Sequence, residues 1–497
     1  MLKAVATVSI ISIITRALAF VFKIYLSREL GAEILGVYQI CMSIFILIAS
    51  LSSSGLPTTL SRKTAEYGML GDSKSEKQIL ATTVFTSLFL SVASMLFFYL
   101  FPNITALLFS DSRCTDMFVT MLPALISTSV YSVTRGWFWG KKDYLVFSSS
   151  ELVQEVLSIA IVAMALLSGI FRDKSRAIAV AFVVSDYIAT AILVILFFRK
   201  GGRLARPAKF GEVYRSALPL TSSRLLGSLV SSLMALLIPS LLVKYGMDTS
   251  LATASYGRAS GMVMPLLFAP SSFTGSLAVV MIPELASSNI AKKPSVSSTV
   301  KNAIFISVMS ACVFVPIYMS LGEEICSTLY HDDIAGSFLT YASVLMIPLS
   351  INQMVISLLN TLGKENKTFL SHMIGSALLF AMILILPKYI GIHAYFVGLI
   401  SFHVFTMSVN LITLSKTTKL GKQLFLNSSL VIAFACLTGV LLNFVDMPSV
   451  PKIAAIAIKS AIAVSAYLLF LIVFKFIDIT KFLKKQKKPV KTQTQDA

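Results

Sequence analysis

The sequence predicts an all-α polytopic membrane protein with about 14 transmembrane helices. We expect these helices to form two pseudo-symmetric six-helix lobes plus two C-terminal helices. The composition excludes an ordinary soluble domain, because 56% of the 497 residues are hydrophobic and only 13% are charged. Apolar segments of about 20 residues recur along nearly the whole chain, and each can cross a hydrocarbon core of about 30 Å. Short polar turns separate them, so no sizeable soluble domain is expected between the helices.

The apolar segments can be placed in order along the chain. The predicted spans are 5–27, 34–55, 79–101, 117–138, 148–170, 177–198, 216–242, 252–275, 299–320, 336–360, 368–387, 392–414, 425–445 and 453–474. The first span carries Arg16 and Lys23 and is not followed by a small-residue cleavage site. It is therefore expected to be a membrane helix and not a cleaved signal peptide.

Basic residues cluster in alternate loops, which predicts the orientation of the chain. The clusters are Arg62 and Lys63; Arg199, Lys200, Arg203, Arg206, Lys209 and Arg215; Lys416, Lys419 and Lys422; and Lys484–Lys488. The loop predicted at 321–335 lies on the opposite side, and it contains four acids and no Lys or Arg: Glu323, Glu324, Asp332 and Asp333. By the positive-inside rule, both termini are expected to be cytoplasmic, in a multi-pass protein of the cell membrane. The net charge of +19 then reflects topology and contact with anionic lipid headgroups, and no nucleic-acid partner is expected.

An internal repeat predicts the domain organisation. The first span contains Thr15-Arg16-Ala17-Leu18, and the seventh contains Ser223-Arg224-Leu225-Leu226. The turn Gly140-Lys141-Lys142-Asp143 follows the fourth span, and Gly363-Lys364-Glu365-Asn366 follows the tenth. The shared order predicts an N-terminal lobe at 1–205, a C-terminal lobe at 206–415, a helix pair at 416–475 and a basic cytoplasmic tail at 476–497. Repeats of this kind are typical of transporters that bind substrate between the repeats.

Six cations lie inside the predicted spans. They are Arg16, Lys23, Arg135, Arg224, Arg258 and Lys459. Placing a charged side chain in the bilayer core costs roughly several kcal/mol, unless the side chain faces the interior of the helix bundle or a water-filled cavity. Acids are scarce in the same spans, so the pattern favours a protein that handles an anionic substrate inside the membrane.

Three motifs resemble polysaccharide and lipid-linked oligosaccharide flippases. They are Thr15-Arg16 through Leu30-Gly31-Ala32-Glu33 with Gly36-Val37-Tyr38-Gln39, then Gly55-Leu56-Pro57-x-x-x-Ser61-Arg62-x-x-Ala65-Glu66, and Arg135-Gly136-Trp137-Phe138-Trp139-Gly140. The resemblance runs through the whole chain and identifies the multidrug/oligosaccharidyl-lipid/polysaccharide flippase superfamily. It implies a V-shaped pair of lobes around a central cavity lined by spans one, two, seven and eight. It also implies that spans thirteen and fourteen form a groove for a lipid tail.

The resemblance implies a function as well. The expected activity is transfer of an anionic lipid-linked glycan precursor from the inner to the outer leaflet by alternating access. The precursor would be of the lipid II type, for spore cortex peptidoglycan, and cell-wall synthesis proteins are possible partners. Arg16 and Arg258 match substrate arginines of the family, whereas Lys23 is only near such a position. Spans seven, eight and ten to twelve contain no Asp or Glu. The sodium site that some relatives build from carboxylates therefore cannot be assigned to this chain.

Each cation receives its own interpretation. Arg16, Arg258, Arg224 and Lys23 are predicted to bind the diphosphate or headgroup, because guanidinium and ammonium groups pair well with phosphate oxygens. Lys459 is a candidate for the lipid groove, or it extends to the membrane interface. Arg135 is expected to tie the fourth span to Glu151 or Glu155.

Other functions fit the sequence less well. Asp186, an acid in the sixth span, is a candidate for ion coupling or for pairing with a cation. No motif for a nucleotide-binding loop, a metal site or a hydrolase is present, so we expect neither an enzyme nor a bound cofactor or metal. Two alternatives remain: a multidrug or organic-cation antiporter of the same fold, which would need acids in its cavity, and a non-transporting scaffold of a cell-wall assembly machine.

The predicted orientation can be tested with single cysteines in a variant whose five native cysteines are replaced. Arg203→Cys should be shielded from an impermeant thiol reagent in intact cells, and Asp332→Cys should react. Labelling of Arg203→Cys from outside would contradict the orientation. Labelling of both cysteines after permeabilisation is the control for accessibility.

Overall fold

The computed structural model describes residues 2–53, 55–271, 274–275, 295–418, 420–445 and 450–476. Throughout these ranges the regular structure is helical and no strand occurs. The predicted basic tail at 476–497 lies outside the described residues except for Phe476. The all-α, multi-pass fold class is confirmed.

Short connections join most consecutive helices within the described ranges. Their bounds are α1 Leu2–Ser53, α2 Leu56–Leu70, α3 Ser73–Leu100, α4 Pro102–Leu108, α5 Ser112–Met121, α6 Ala124–Gly140, α7 Tyr144–Leu167, α8 Lys174–Arg199, α9 Phe210–Lys244 and α10 Thr249–Tyr256. A π-helix at Gly257–Val263 follows. The remaining helices are α11 Ser295–Tyr330, α12 Asp333–Ala342, α13 Met346–Thr361, α14 Glu365–Ile385, α15 Pro387–Ile390, α16 His393–Thr418, α17 Lys422–Leu442 and α18 Lys452–Val473, with a 3₁₀ turn at Ser343–Leu345.

Eleven helices of the described chain are long and apolar enough to cross a membrane, or twelve if the bent pair Ser112–Met121 and Ala124–Gly140 is one span. The longest of these, Ile10–Leu70, spans 61 residues and includes the first two predicted spans. Those spans are separated at Gly31, whose φ of 69° is not helical. The eighth predicted span lies partly outside the described residues. The number fourteen therefore stays a prediction.

The described residues pack into two compact units. The first is Met1–Pro265 with Ser376–Gly398, and the second is Leu266–Gly375 with Leu399–Ala497. The first unit thus contains α9 and the π-helix as well as α1–α8. The lobe boundaries at 205 and 415 stay a prediction.

Two motifs of the sequence pack against each other where α2 meets α6. A Cβ atom at Gly136 would lie 2.7 Å from the carbonyl oxygen of Pro57. A Cβ atom at Gly140 would lie 2.6 Å from the carbonyl oxygen of Ser61. The two glycines, four residues apart on one face of α6, therefore allow the helix backbones to approach closely, as small residues do in membrane helices.

A second close approach joins the latter half of α1 to α10 and the π-helix. A Cβ atom at Gly36 would overlap the carbonyl oxygen of Thr253, and one at Gly257 would overlap that of Ala32. Gly261, one turn further along the π-helix, faces the Leu35 side chain. The glycines at positions 36 and 257 are thus fixed by packing.

The structure corrects the interpretation of 321–335 as a loop. Residues up to Tyr330 continue α11 as a helix, in which Leu321, Cys326 and Tyr330 are buried and Glu323 is exposed. Only the segment around Asp332 is non-helical, and its carboxylate caps α12 by accepting a hydrogen bond of 2.8 Å from the Ala335 N–H.

The contact at Gly36 yields a stability prediction. Gly36→Ala should destabilise the protein by about 1–3 kcal/mol, because the added methyl group has no space against the Thr253 backbone. Gly68→Ala is the matched control, since nothing lies within 4 Å of its Cβ position and alanine favours a helix by up to about 1 kcal/mol. Thermal unfolding in neutral detergent measures both. Equal midpoints for the two variants would contradict the prediction.

Candidate functional site

A cavity of about 400 Å³ lies within the first unit. It is formed by both halves of α1, by α7 and by α8. Its polar and charged lining residues are Thr15, Arg16, Lys23, Tyr38, Gln39, Glu151, Gln154, Glu155 and Ser158. The volume falls within the range of about 300–1,000 Å³ that is usual for sites of small ligands.

Helical periodicity explains why these side chains meet. On α7, residues 151, 154, 155 and 158 follow the spacing i, i+3, i+4, i+7, which places them on one face of the helix. On α1, Arg16, Ala19 and Lys23 also share a face. A polar face on each of two apolar helices cannot face lipid without cost, so the two faces are directed toward one another across the cavity.

The structure brings Arg16 and Lys23 together in this cavity. Both residues are exposed, and neither side chain forms an ion pair or hydrogen bond with any part of the protein that the structure describes. Glu151 and Glu155, which lie on α7, share the cavity.

Arg135 neutralises one of these acids. Its guanidinium lies 2.5 Å from a Glu151 carboxylate oxygen, donates to the Phe147 carbonyl at 3.1 Å, and stacks 4.2 Å from the Phe147 ring centroid. The predicted tie between the fourth span and α7 is confirmed, with Glu151 as the partner. Without this pair, the cavity retains Arg16 and Lys23 against Glu155, an excess of one positive charge.

Asp186 is buried beside the cavity and accepts three hydrogen bonds. The donors are Ser127 Oγ at 2.6 Å, Thr128 Oγ1 at 2.8 Å and Gln154 Nε2 at 2.8 Å. The three hydrogen bonds join α6, α7 and α8 around one carboxylate. No group of three or more His, Cys, Asp or Glu residues suited to a metal ion occurs in the described chain. A coupling role for Asp186 stays a prediction.

The other predicted site residues lie elsewhere. Arg224 donates a hydrogen bond of 3.3 Å to Thr58 Oγ1, and Arg258 is half-buried on the π-helix. Neither is among the described residues that line the 400 Å³ cavity. Lys459 is half-buried on α18 in the second unit. The roles predicted for these three residues, and the lining role implied for spans seven and eight, therefore stay predictions.

Comparison with known proteins gives the family. Residues 1–289, more than half of the chain, match the family model described as "Polysaccharide biosynthesis protein". The chain belongs to this family.

Similar proteins extend the comparison over the full length. Stage V sporulation protein B of Bacillus subtilis (strain 168) is 23% identical over 486 residues, which are 93% of each chain. The structure of the lipid II flippase MurJ in an inward closed conformation aligns with a TM-score of 0.74 at 13% identity, and covers 94% of this chain and 98% of that chain. An inward-facing MATE multidrug transporter aligns with a TM-score of 0.65 at 14% identity, over 85% and 96%. The resemblance to the flippase superfamily is confirmed, and the chain has the fold of these transporters.

Two polar clusters of this family member join the early helices to α9 and α10. In the first, Glu33 pairs with Arg113 at 2.5 Å and accepts a hydrogen bond from Ser250. In the second, Glu212 pairs with Lys63 at 2.7 Å and accepts a hydrogen bond from Tyr67 at 3.0 Å. The Glu33 cluster thus joins α1 and α5 to α10, and the Glu212 cluster joins α2 to α9.

Lys209 reinforces the second of these clusters from the segment before α9. Its ammonium donates to Tyr67 Oη at 3.1 Å and to Ser75 Oγ at 2.6 Å. The hydrogen bond to Tyr67 raises the pKa of Lys209, so the contact persists throughout the neutral pH range.

Sequence reasoning did not identify Glu151, Gln154 and Glu155 as residues of the same cavity as Arg16. Their spacing on α7 was a usable signal, because polar residues at i, i+3 and i+4 in an apolar helix mark a face that does not contact lipid.

The Arg135–Glu151 pair gives a coupling prediction. Arg135→Ala should destabilise the protein by about 1–3 kcal/mol, because the Glu151 carboxylate loses its partner in a partly dehydrated site. Arg135→Ala with Glu151→Ala should cost less than the sum of the single variants, by about 1 kcal/mol. Thermal unfolding of the four proteins in detergent measures the coupling. Strict additivity would show that the contact does not stabilise the fold.

Proposed function

We propose that this protein is a membrane flippase that moves an anionic lipid-linked glycan precursor from the inner to the outer leaflet. The observation that carries the proposal is the placement of Arg16 and Lys23. Both cations belong to a membrane-spanning helix and line the same cavity. Neither forms an ion pair within the described protein. A polyanion such as a diphosphate supplies the missing partner.

The chemistry of the substrate fits the cavity. A diphosphate cannot cross hydrocarbon unaided, because an unpaired charge there is costly. The Arg16 guanidinium makes bidentate contacts with phosphate oxygens, and the Lys23 ammonium provides a second positive charge. Hydroxyl and amide groups of Ser158, Gln39 and Gln154 are suitable for contacts to sugar hydroxyls. By analogy with the relatives, we propose a precursor of the lipid II type for spore cortex peptidoglycan.

Alternating access accounts for the two polar clusters. The contacts of Glu33 with Arg113 and Ser250 join α1 and α5 to α10. The contacts of Glu212 with Lys63 and Tyr67 join α2 to α9. Transport in one direction would require each cluster to open in turn while the other stays closed. Both clusters rest on exposed or half-buried ion pairs, which cost little to break, at roughly 0–1 kcal/mol each.

One observation favours a second candidate, an organic-cation antiporter. Glu155 lines the cavity beside Lys23, and buried Asp186 is connected to the cavity through Gln154. A cationic substrate would contact these acids and not Arg16. The two candidates therefore predict opposite effects of charge changes at positions 16 and 155.

The deciding experiment measures transport by purified protein in liposomes, with a fluorescent lipid-linked diphosphate sugar as substrate. Arg16→Glu should lower the flipping rate at least about 30-fold, as expected for the loss of a partly desolvated charge contact worth ~2 kcal/mol or more. Arg16→Lys should retain a measurable part of the activity, since it keeps the charge and loses the bidentate geometry. Arg206→Glu, an exposed position outside the cavity, is the control for reversal of charge.

The outcomes separate the candidates. Loss of flipping in Arg16→Glu with normal flipping in Arg206→Glu supports the flippase. Normal flipping in Arg16→Glu sinks the arginine-site proposal. Transport of an organic cation that depends on Glu155 and improves in Arg16→Glu would establish the antiporter instead.

A further inference from the structure

A second cavity, of about 420 Å³, lies within the first unit. It is formed by the start of α3, the end of α6 and the segment that follows α8. It shares no lining residue with the cavity that contains Arg16. Its four cations and two acids are Lys77, Lys141, Lys200, Arg203, Glu76 and Asp143.

Each acid of the second cavity is already neutralised. Glu76 lies 2.6 Å from the Lys141 ammonium and accepts a hydrogen bond of 3.3 Å from Trp137 Nε1. Asp143 lies 3.1 Å from the Lys200 ammonium. Both acids are therefore part of the wall, and neither is available to repel an anion.

Two cations of the cavity remain in excess. The side chains of Lys77 and Arg203 form no ion pair or hydrogen bond within the part of the chain that the structure describes. Lys77 is half-buried and Arg203 is exposed. Both line the same space, so it carries two positive charges that the protein itself does not compensate.

The floor of the cavity is apolar and fixed. Leu80, Trp137 and Phe138 line it and belong to the buried core of the first unit. The segment that carries Arg203 is held by a hydrogen bond of 2.9 Å from the Gly202 N–H to the Phe197 carbonyl. A Cβ atom at Gly202 would overlap the Phe197 ring, so this segment packs directly on the core. The cavity therefore exists before any ligand binds.

We propose that this cavity is a binding site for a phosphate group, held by Lys77 and Arg203 above the apolar floor. Arginine offers a planar pair of donors to phosphate oxygens and lysine adds a point charge. The positive-inside pattern assigns this end of the protein to the cytoplasmic face. The phosphate would then belong to an anionic phospholipid of the inner leaflet or to a soluble phosphate compound. The site is separate from the transport cavity and does not depend on the proposed function.

The test compares binding to two double variants that remove the same charge. The double variant Lys77→Ala with Arg203→Ala removes both unpaired cations from the proposed site. Lys74→Ala with Arg206→Ala removes two exposed cations from the same two segments, outside the cavity. The probes are short-chain phosphatidylglycerol, the matched phosphatidylcholine, and inorganic phosphate. Apparent Kd values come from thermal-stability titrations of the full-length protein in neutral detergent, because a ligand that binds the folded state stabilises it.

The expected result is a difference between the two variants. At 0.15 M salt, where the screening length is about 8 Å, phosphatidylglycerol should bind wild-type protein more tightly than phosphatidylcholine. The Lys77/Arg203 variant should lose roughly fivefold in affinity for each cation removed, or about 25-fold in total. The Lys74/Arg206 variant should lose at most about twofold, because neither of its two cations lines the cavity and neither would contact the bound phosphate.

Each outcome of these titrations either supports or contradicts the phosphate site. Variant-dependent binding of phosphatidylglycerol alone identifies a lipid headgroup, and the same dependence for inorganic phosphate identifies a soluble source. Equal losses in both double variants, or no binding of either anion to wild-type protein, would overturn the proposal. If the Lys77/Arg203 protein does not purify as a monodisperse species, the single variants Lys77→Ala and Arg203→Ala replace it, each with an expected loss of roughly fivefold.

Discussion

A charge in a membrane-spanning helix must find either a partner or water, because lipid provides neither. The first unit satisfies this constraint in three ways. Arg135 is paired with Glu151, Asp186 accepts hydrogen bonds from three side chains, and Arg16 and Lys23 face a cavity. The first two arrangements are complete within the protein and consequently stabilise it. The third is complete only when an anion or water is present, which is why we propose the substrate site there.

Close backbone contacts then determine where these charges lie. Gly136 and Gly140 bring α6 onto α2, and Gly36 and Gly257 bring the π-helix onto α1. On α6, Arg135 pairs with Glu151 of α7, and Trp137 donates a hydrogen bond to Glu76 of α3. The glycines of the sequence motifs thus allow close packing between helices, whereas the polar residues beside them line or support the two cavities. One short motif on α6 in this way contributes to both cavities.

The sequence was sufficient for the fold class and for single helices, but not for contacts between distant helices. Hydropathy located the spans, and the three motifs identified the family. The tie from Arg135 to Glu151 was predictable because the two residues lie close in sequence, on consecutive helices. By contrast, the meeting of Arg16 with Glu155 depends on how α1 packs against α7, which no local pattern encodes. Glu323 and Glu324 were wrongly assigned to a loop, because α11 continues to Tyr330 through buried residues such as Cys326, and that burial depends on contacts between helices.

The balance of charge in the transport cavity limits what it can carry. With Glu151 neutralised by Arg135, the cavity holds two cations and one carboxylate. A diphosphate with roughly two negative charges would reverse the sign of the site, unless Glu155 moved away or took up a proton. A carboxylate beside the binding cations therefore weakens anion binding, and a transporter needs such weakening because a substrate that is held too tightly is not released. Under the proposed function, Glu155 would help to release the anion after the cavity has changed its orientation. Gln154, which donates a hydrogen bond of 2.8 Å to Asp186, would connect that event to the packing of α6 and α8.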